Sequence, residues 1–328
     1  MQFRKLGKTG MNVSAISIGT WQVGGKWGSA FDEDNAAAIL NKAIDSGINF
    51  IDTADVYSDG LSEKAVGKII KSRSEKIYVA TKCGRQIQPH VNQGYQPAVL
   101  RKYVEDSLQR LQLETIDLIQ LHCPPSEVYY RPEIFEVFDQ LKAEGKIQHL
   151  GVSVEKVEEA LKAIEYENVS TIQIIFNMFR QRPAELFFSE AQKKDIGIIV
   201  RVPLASGLLT GTFSAQTNFE SGDHRQFNRN GEAFDKGETF SGIDYATGLA
   251  AVEALKEIFP GQPNLAPIAL QWILQFDAVS CIIPGASNNR QVDSNISALQ
   301  SPELSQEQVT AVQHVYEKYI KKAVHQLW

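Results

Sequence analysis

The chain has 328 residues, of which 43% are hydrophobic and 22% charged, and its formal net charge is −6. That mixture supplies apolar material for a large core, and the acidic balance argues against general affinity for nucleic acid, which needs a basic face. Three scattered cysteines, Cys83, Cys123 and Cys281, form neither a disulfide framework nor a zinc spacing; with no apolar leader after Met1 and no run of about 18 apolar residues, the expectation is a cytoplasmic protein without a membrane span.

In chain order, residues 3–14 read as a hairpin turning at Lys8-Thr9-Gly10. Eight short runs rich in Ile and Val follow, at 15–18, 48–51, 77–80, 116–121, 147–152, 171–176, 197–202 and 279–283, as buried parallel strands require. Helical periods lie between them at 35–46, 61–71, 97–111, 132–144, 155–166, 184–195 and 245–259, with another at 288–299. Pro97 and Pro132 stand at favoured first-turn positions, and Gly145 ends its helix. Residues 212–244 are long, polar and glycine-rich where the pattern calls for a helix, a length that marks a functional loop; it is expected to act as a lid. Residues 305–327 read as a final helix with Ser305 as its cap.

Eight strands alternating with helices make a parallel sheet. No G-x-G-x-x-G follows the first strand, so an open dinucleotide-binding sheet is disfavoured, and eight is the number that closes a barrel. The predicted fold is α/β, a (β/α)8 TIM barrel with an N-terminal hairpin cap, as one domain over residues 1–328.

In such barrels, chemistry sits at the C-terminal ends of the strands. The second strand ends at Asp52, with Tyr57 just beyond; the third ends at Lys82 and the fourth at His122. An ammonium beside a phenol favours phenolate and lowers its pKa, while Asp52 can neutralise and orient Lys82. His122 can donate to a carbonyl oxygen. Together they read as a general acid aimed at a developing alkoxide. Trp21 and Trp27, after the first strand, and Cys83 and Cys123, each following one of these residues, are candidates for a substrate wall. No histidine shows metal-ligand spacing, so no metal is expected, and a metal-dependent barrel hydrolase is disfavoured.

The order and spacing of Asp52, Tyr57, Lys82 and His122 resemble the catalytic tetrad of the aldo-keto reductases, and residues 47–57 are similar to that family's signature. The resemblance extends to Leu6-Gly7-Lys8-Thr9-Gly10, Gly151-Val152-Ser153 and Ile282-Ile283-Pro284-Gly285. It implies a bacterial-type oxidoreductase passing hydride between NADP(H), or NAD(H), and an aldehyde, ketone or alcohol, with Tyr57 as acid–base. By matched position, Ser153 and Gln173 hold the nicotinamide carboxamide. Arg201, Pro203, Leu204, Ser206, Gly207 and Leu209 follow the cofactor toward its pyrophosphate. Gly285, Ser287, Gln291 and Asn295 form the adenosine-phosphate pocket.

Four positions depart from the family pattern. Val154 stands where asparagine is usual, and Arg201 where many members stack a tyrosine on the nicotinamide; its charge is expected to disfavour the oxidised, cationic ring. Gly285 and Gln291 replace basic residues of NADPH-preferring members, with Arg290 as the available substitute. The competing reading is a cofactor-binding regulatory subunit with little turnover, a role some family members fill with the tetrad intact.

Overall fold

The computed structural model describes residues 1–25 and 30–328; Trp27, a candidate for the substrate wall, lies outside the described residues. Strands β1 (Phe3–Lys5) and β2 (Asn12–Ser14) form the predicted antiparallel hairpin. The barrel strands are β3 (Ile18–Gly19), β4 (Phe50–Asp52), β5 (Tyr78–Cys83), β6 (Ile116–His122), β7 (Ile147–Ser153), β8 (Val169–Ile175), β9 (Gly197–Arg201) and β10 (Val279–Ile282). They pair in parallel in sequence order, and bridges Ile16–Ile282 and Gly19–Gly285 bring the last strand back to the first. Eight parallel strands thus form the expected (β/α)8 barrel.

The helices around it are α1 (Glu33–Asp45), α2 (Leu61–Ser72), α3 (Pro97–Leu111), α4 (Pro132–Ala143), α5 (Val157–Ala163) and α6 (Phe187–Lys193). Four more follow: α7 (His224–Phe227), α8 (Tyr245–Ile258), α9 (Ala266–Leu274) and α10 (Asn289–Ser297); a C-terminal pair is α11 (Gln306–Val315) and α12 (Lys321–Val324). Their ends carry the chemistry that stops them. The Asp32 side chain accepts from Asn35 N at the start of α1, and Ser305 and Gln308 cap α11 reciprocally. Sequence periodicity missed α9, because Trp272, Leu270, Ile273 and Leu274 leave it apolar nearly all round. Its start was nonetheless marked by Asn264, which accepts from Ala266 N, and by Pro267 in the first turn. The 212–244 segment is partly ordered by its own packing: it contains α7 and buries Asn228, Thr239, Phe240 and Ser241.

Strand side chains alternate between two environments. Phe50, Ala80, Leu118, Ile199 and Cys281 point into the barrel, where Leu6, Met11 and Val13 of the hairpin plug its lower end. Ile51, Val79, Ile119, Ile172, Ile198 and Ile282 point outward into the main core beneath the helices. One layer above the apolar plug, the inward positions become polar: Asp52, Lys82, Gln120 and Gln173, all buried. No helix among the described residues is long and apolar enough to cross a membrane.

Candidate active site

The polar layer is one connected hydrogen-bond network. Lys82 Nζ, fully buried, donates to Asp52 Oδ1 at 2.5 Å, to the Thr53 carbonyl at 2.8 Å and to Tyr57 Oη at 3.3 Å. The second Asp52 oxygen accepts from Gln120 at 3.0 Å and from Gln173 at 2.8 Å. Every hydrogen of the ammonium is used, and the carboxylate is held on both oxygens, so a charge pair buried at a cost in desolvation has a single geometry. Burial acts to lower the Lys82 pKa, but Asp52 and Tyr57 outweigh it and the net shift is upward: the ammonium stays charged.

Tyr57 opens a short helical turn, Tyr57–Gly60, in which Ser58 and Asp59 both take left-handed backbone angles, φ 48° and 52°. Non-glycine residues hold that conformation only when their surroundings enforce it, and the strain sits directly behind the phenol. Burial pushes the Tyr57 hydroxyl up; Lys82 pulls it down, and the net shift is upward. Lys82 therefore pulls the phenol down as expected, but burial outweighs it, and spacing alone does not reveal burial. The His122 ring stands edge-on to Tyr57 with centroids 6.1 Å apart. Burial, then Arg85, Lys82 and Arg201, hold its pKa well below the ordinary value, so the imidazole is neutral. Its Nδ1 is buried without a partner.

A cleft of about 600 Å³ runs from this network along the barrel rim. Asp52, Tyr57 and Gln173 line one end with Trp21, while Pro203, Leu204, Ser206 and Gly207 line its middle. Gly285, Ser287, Gln291 and Asn295 line the far end with Arg290, which is exposed on the first turn of α10. There the Asn288 side chain caps Gln291 N, and the Gln291 side-chain Oε1 accepts from Ser287 N at 2.7 Å. Fifteen of the site residues expected from sequence thus face one surface or lie directly beneath it, counting Arg201 and, in the network, Lys82 and His122 with those named above, and Arg290 joins them.

Others do not face it. Ser153 lies one step behind, its hydroxyl 3.4 Å from Gln173 Oε1. Leu209 is fully buried in the main core. Cys83 is also in that core, because the residue after inward-pointing Lys82 must point outward; it forms no part of a substrate wall, and burial pushes its thiol well up. Cys123 turns away at the end of β6 with φ 49° and sits behind the rim, 3.5 Å from Ser153 Oγ. Burial holds its thiol at about 11. Trp21 does form wall: its ring packs edge-on to Tyr57 at 5.2 Å and to Phe234 of the long loop at 5.9 Å.

Arg201 differs most from its expected setting. It lines the cleft, but one nitrogen donates to the Val154 carbonyl at 3.1 Å and another lies 3.5 Å from Glu238 of the long loop. The guanidinium is paired, so the unopposed charge inferred from sequence is absent. Glu238, which also reaches Arg85 at 3.2 Å, carried no local signal: an acidic residue in a polar loop has no sequence mark of its partner. Cys123, Glu155 and Glu238 come within 4.8 Å of one another, yet Arg85 and Arg201 already occupy the carboxylates and oppose a cation.

Comparison with known proteins follows the same lines. Residues 15–317 match the model of the Aldo/keto reductase family. An uncharacterized oxidoreductase, YqkF, of Bacillus subtilis is 30% identical over 98% of this chain and 99% of its own. An NADH-specific methylglyoxal reductase of Escherichia coli is 30% identical over 90% of this chain and 92% of its own. The structure of a glycerol dehydrogenase from Gluconobacter oxydans superposes with a TM-score of 0.78 at 29% identity, covering 97% and 96% of the two chains.

Proposed function

This chain belongs to the aldo/keto reductase family and is an oxidoreductase that acts on carbonyl or alcohol groups with a nicotinamide cofactor; from that premise we propose that Tyr57 is its acid–base, that the cofactor is NADP(H), and that the substrate is a small polar carbonyl compound or its alcohol. The observation that carries the reading is the buried Lys82 bridging Asp52 and the Tyr57 hydroxyl.

The cleft has the donor set such a cofactor needs. The Gln173 amide and, behind it, Ser153 suit a carboxamide. Gly207 and its neighbours allow close backbone approach, and the nine-residue α10 presents its N-terminus with Arg290 beside it, favourable to a phosphate. When bound, the nicotinamide supplies or accepts the hydride.

The protein's own residues do the rest. Tyr57 gives its proton to the carbonyl oxygen as that oxygen becomes an alkoxide. The Lys82 ammonium, fixed by Asp52, stabilises the phenolate left behind. Neutral His122 donates a hydrogen bond to the same oxygen without any change in its own charge. Trp21 and Phe234 exclude water from the reacting end. In the direction of alcohol oxidation the proton returns to Tyr57.

The relatives that act on methylglyoxal and glycerol direct the choice of substrates. A panel of small aldehydes, ketones and polyols, assayed with NADPH and NADH or their oxidised forms, tests the activity. Turnover by the unsubstituted protein that vanishes in Tyr57→Phe, with cofactor binding retained, supports the assignment. Turnover retained in Tyr57→Phe removes it.

A further inference from the structure

Glu238 is placed with more care than a loop carboxylate ordinarily is. It ends the helical turn Lys236–Glu238, and its side chain is 14% exposed. Its carbonyl accepts from Ser206 Oγ at 2.9 Å. The preceding Gly237 has no room for a side chain: a Cβ there would lie 2.2 Å from Arg180 Nη2, which donates to the Gly237 carbonyl. Arg180 in turn stacks on the Trp328 ring, 4.1 Å from its centroid, and that ring packs against Gly242 on the other side of the turn. A buried arginine and a buried tryptophan, both distant in sequence, therefore fix the turn from behind.

In front, the carboxylate faces two cations. Glu238 Oε1 lies 3.2 Å from Arg85 and 3.5 Å from Arg201. Glu155 is the other acid near Arg85, at 3.8 Å; burial and Glu238 push its carboxyl up, whereas against burial Arg85 and Arg201 hold that of Glu238 down. Glu238 is the anion that offsets both guanidiniums, and it lines the same cleft as Arg201, Gln173 and Tyr57.

We propose that Glu238 is a positioning residue that offsets the charge of Arg201 beside the nicotinamide and so sets the protein's relative affinity for oxidised and reduced cofactor. The proposal rests on the reading above that the nicotinamide lies against Gln173 and Arg201. The physical basis is that the oxidised ring is a cation and the reduced ring is neutral. A guanidinium at the ring therefore repels one form only, and a carboxylate 3.5 Å from that guanidinium offsets the repulsion. Through this pair the long loop contributes to the redox balance of the site as well as covering it.

The test is titration of oxidised and reduced NADP and NAD, by fluorescence or calorimetry, at one pH and ionic strength. Glu238→Gln keeps the shape of the side chain and uncovers the cations. It is expected to weaken the oxidised form relative to the reduced form by on the order of ten-fold. Arg201→Met should move the ratio the other way, and the double variant should bring it back toward the starting value. Glu238→Asp, which keeps the charge, should leave the ratio within about two-fold. An unchanged ratio in Glu238→Gln, or equal loss of both affinities, overturns the proposal and leaves Glu238 a structural residue. Failure of the unsubstituted protein to bind either form overturns the nicotinamide reading itself, and this one with it.

Discussion

Lys82 and Tyr57 meet at 3.3 Å, ammonium to phenol oxygen, and the same ammonium lies 4.9 Å from the centre of the Tyr57 ring. The cation is thus aligned both with the oxygen from which Tyr57 would release its proton and with the ring over which the resulting charge would spread. Replacing Tyr57 by Phe keeps the ring and removes the proton. Carbonyl reduction should fall by about 100-fold to 10,000-fold, with cofactor affinity nearly unchanged. Steady-state rates beside a fluorescence titration check this; a rate within a few-fold of the unsubstituted protein would rule out Tyr57 as the acid.

Lys82 has a structural role that must be separated from its chemical one. Lys82→Met leaves the Asp52 carboxylate buried without its cation and should cost about 3–5 kcal/mol of stability. It should also carry the Tyr57 limb of the pH–rate profile further up, since the one neighbour pulling that hydroxyl down is gone. The double variant Lys82→Met/Asp52→Asn should regain much of the stability and none of the activity. Urea unfolding and pH–rate profiles together decide; recovery of both in the double variant would show that Lys82 serves packing alone.

Asp55 gives a prediction about stability rather than rate. It is fully buried, and neither carboxylate oxygen makes a hydrogen bond. Burial, then the nearby Glu63, push its pKa up to about 7. A raised pKa means that the folded state holds its proton more tightly than the unfolded chain. The stabilisation is complete below the unfolded value near ~4 and is lost as pH rises through about 7. Asp55→Asn, neutral at every pH, should therefore gain on the unsubstituted protein between pH ~5 and ~8 by on the order of 2 kcal/mol. Paired melting curves at the two pH values measure it; a difference that does not change with pH would mean that Asp55 is ionised throughout.

The Trp328 ring braces the turn that carries Glu238, and its removal should be felt in the loop before it is felt in the barrel. Trp328→Ala is expected to speed proteolytic cleavage within residues 212–244 several-fold while far-ultraviolet circular dichroism stays the same. Cofactor should restore part of the protection. Cleavage at the original rate would show that Arg180 and Ser206 hold the turn without the ring.

Much of this architecture was readable before any coordinates. The Ile- and Val-rich runs could only be buried strands, and their count closed the barrel. Asp52, Lys82 and His122 ended three successive strands, so their convergence followed from topology. What failed depended on facts a linear pattern does not carry. Strand parity placed Cys83 opposite to Lys82, and that required knowing which residues faced inward. The α9 helix escaped because its burial on nearly all sides erases the period by which helices are recognised. Glu238 and Arg201 are 37 residues apart, and only the folded loop makes them a pair.

The hairpin at the barrel floor also dictates an order of events in the life of the chain. Arg4 donates to the carbonyls of Leu274 and Val279, at 2.6 and 2.8 Å, and Lys8 N donates to Asp195 O at 2.7 Å. Ser17 N donates to Ile282 O and Ile282 N to Ala15 O, both at 2.9 Å, beside the Ile16–Ile282 bridge. During synthesis, at about 5–20 residues per second, the first strand waits many seconds with an open edge until the last strand leaves the ribosome. The earliest-made residues are therefore among the last to reach their final contacts. A nascent chain stalled before residue 282 would display an unclosed sheet at both ends, the kind of surface that chaperones bind and that aggregates extend.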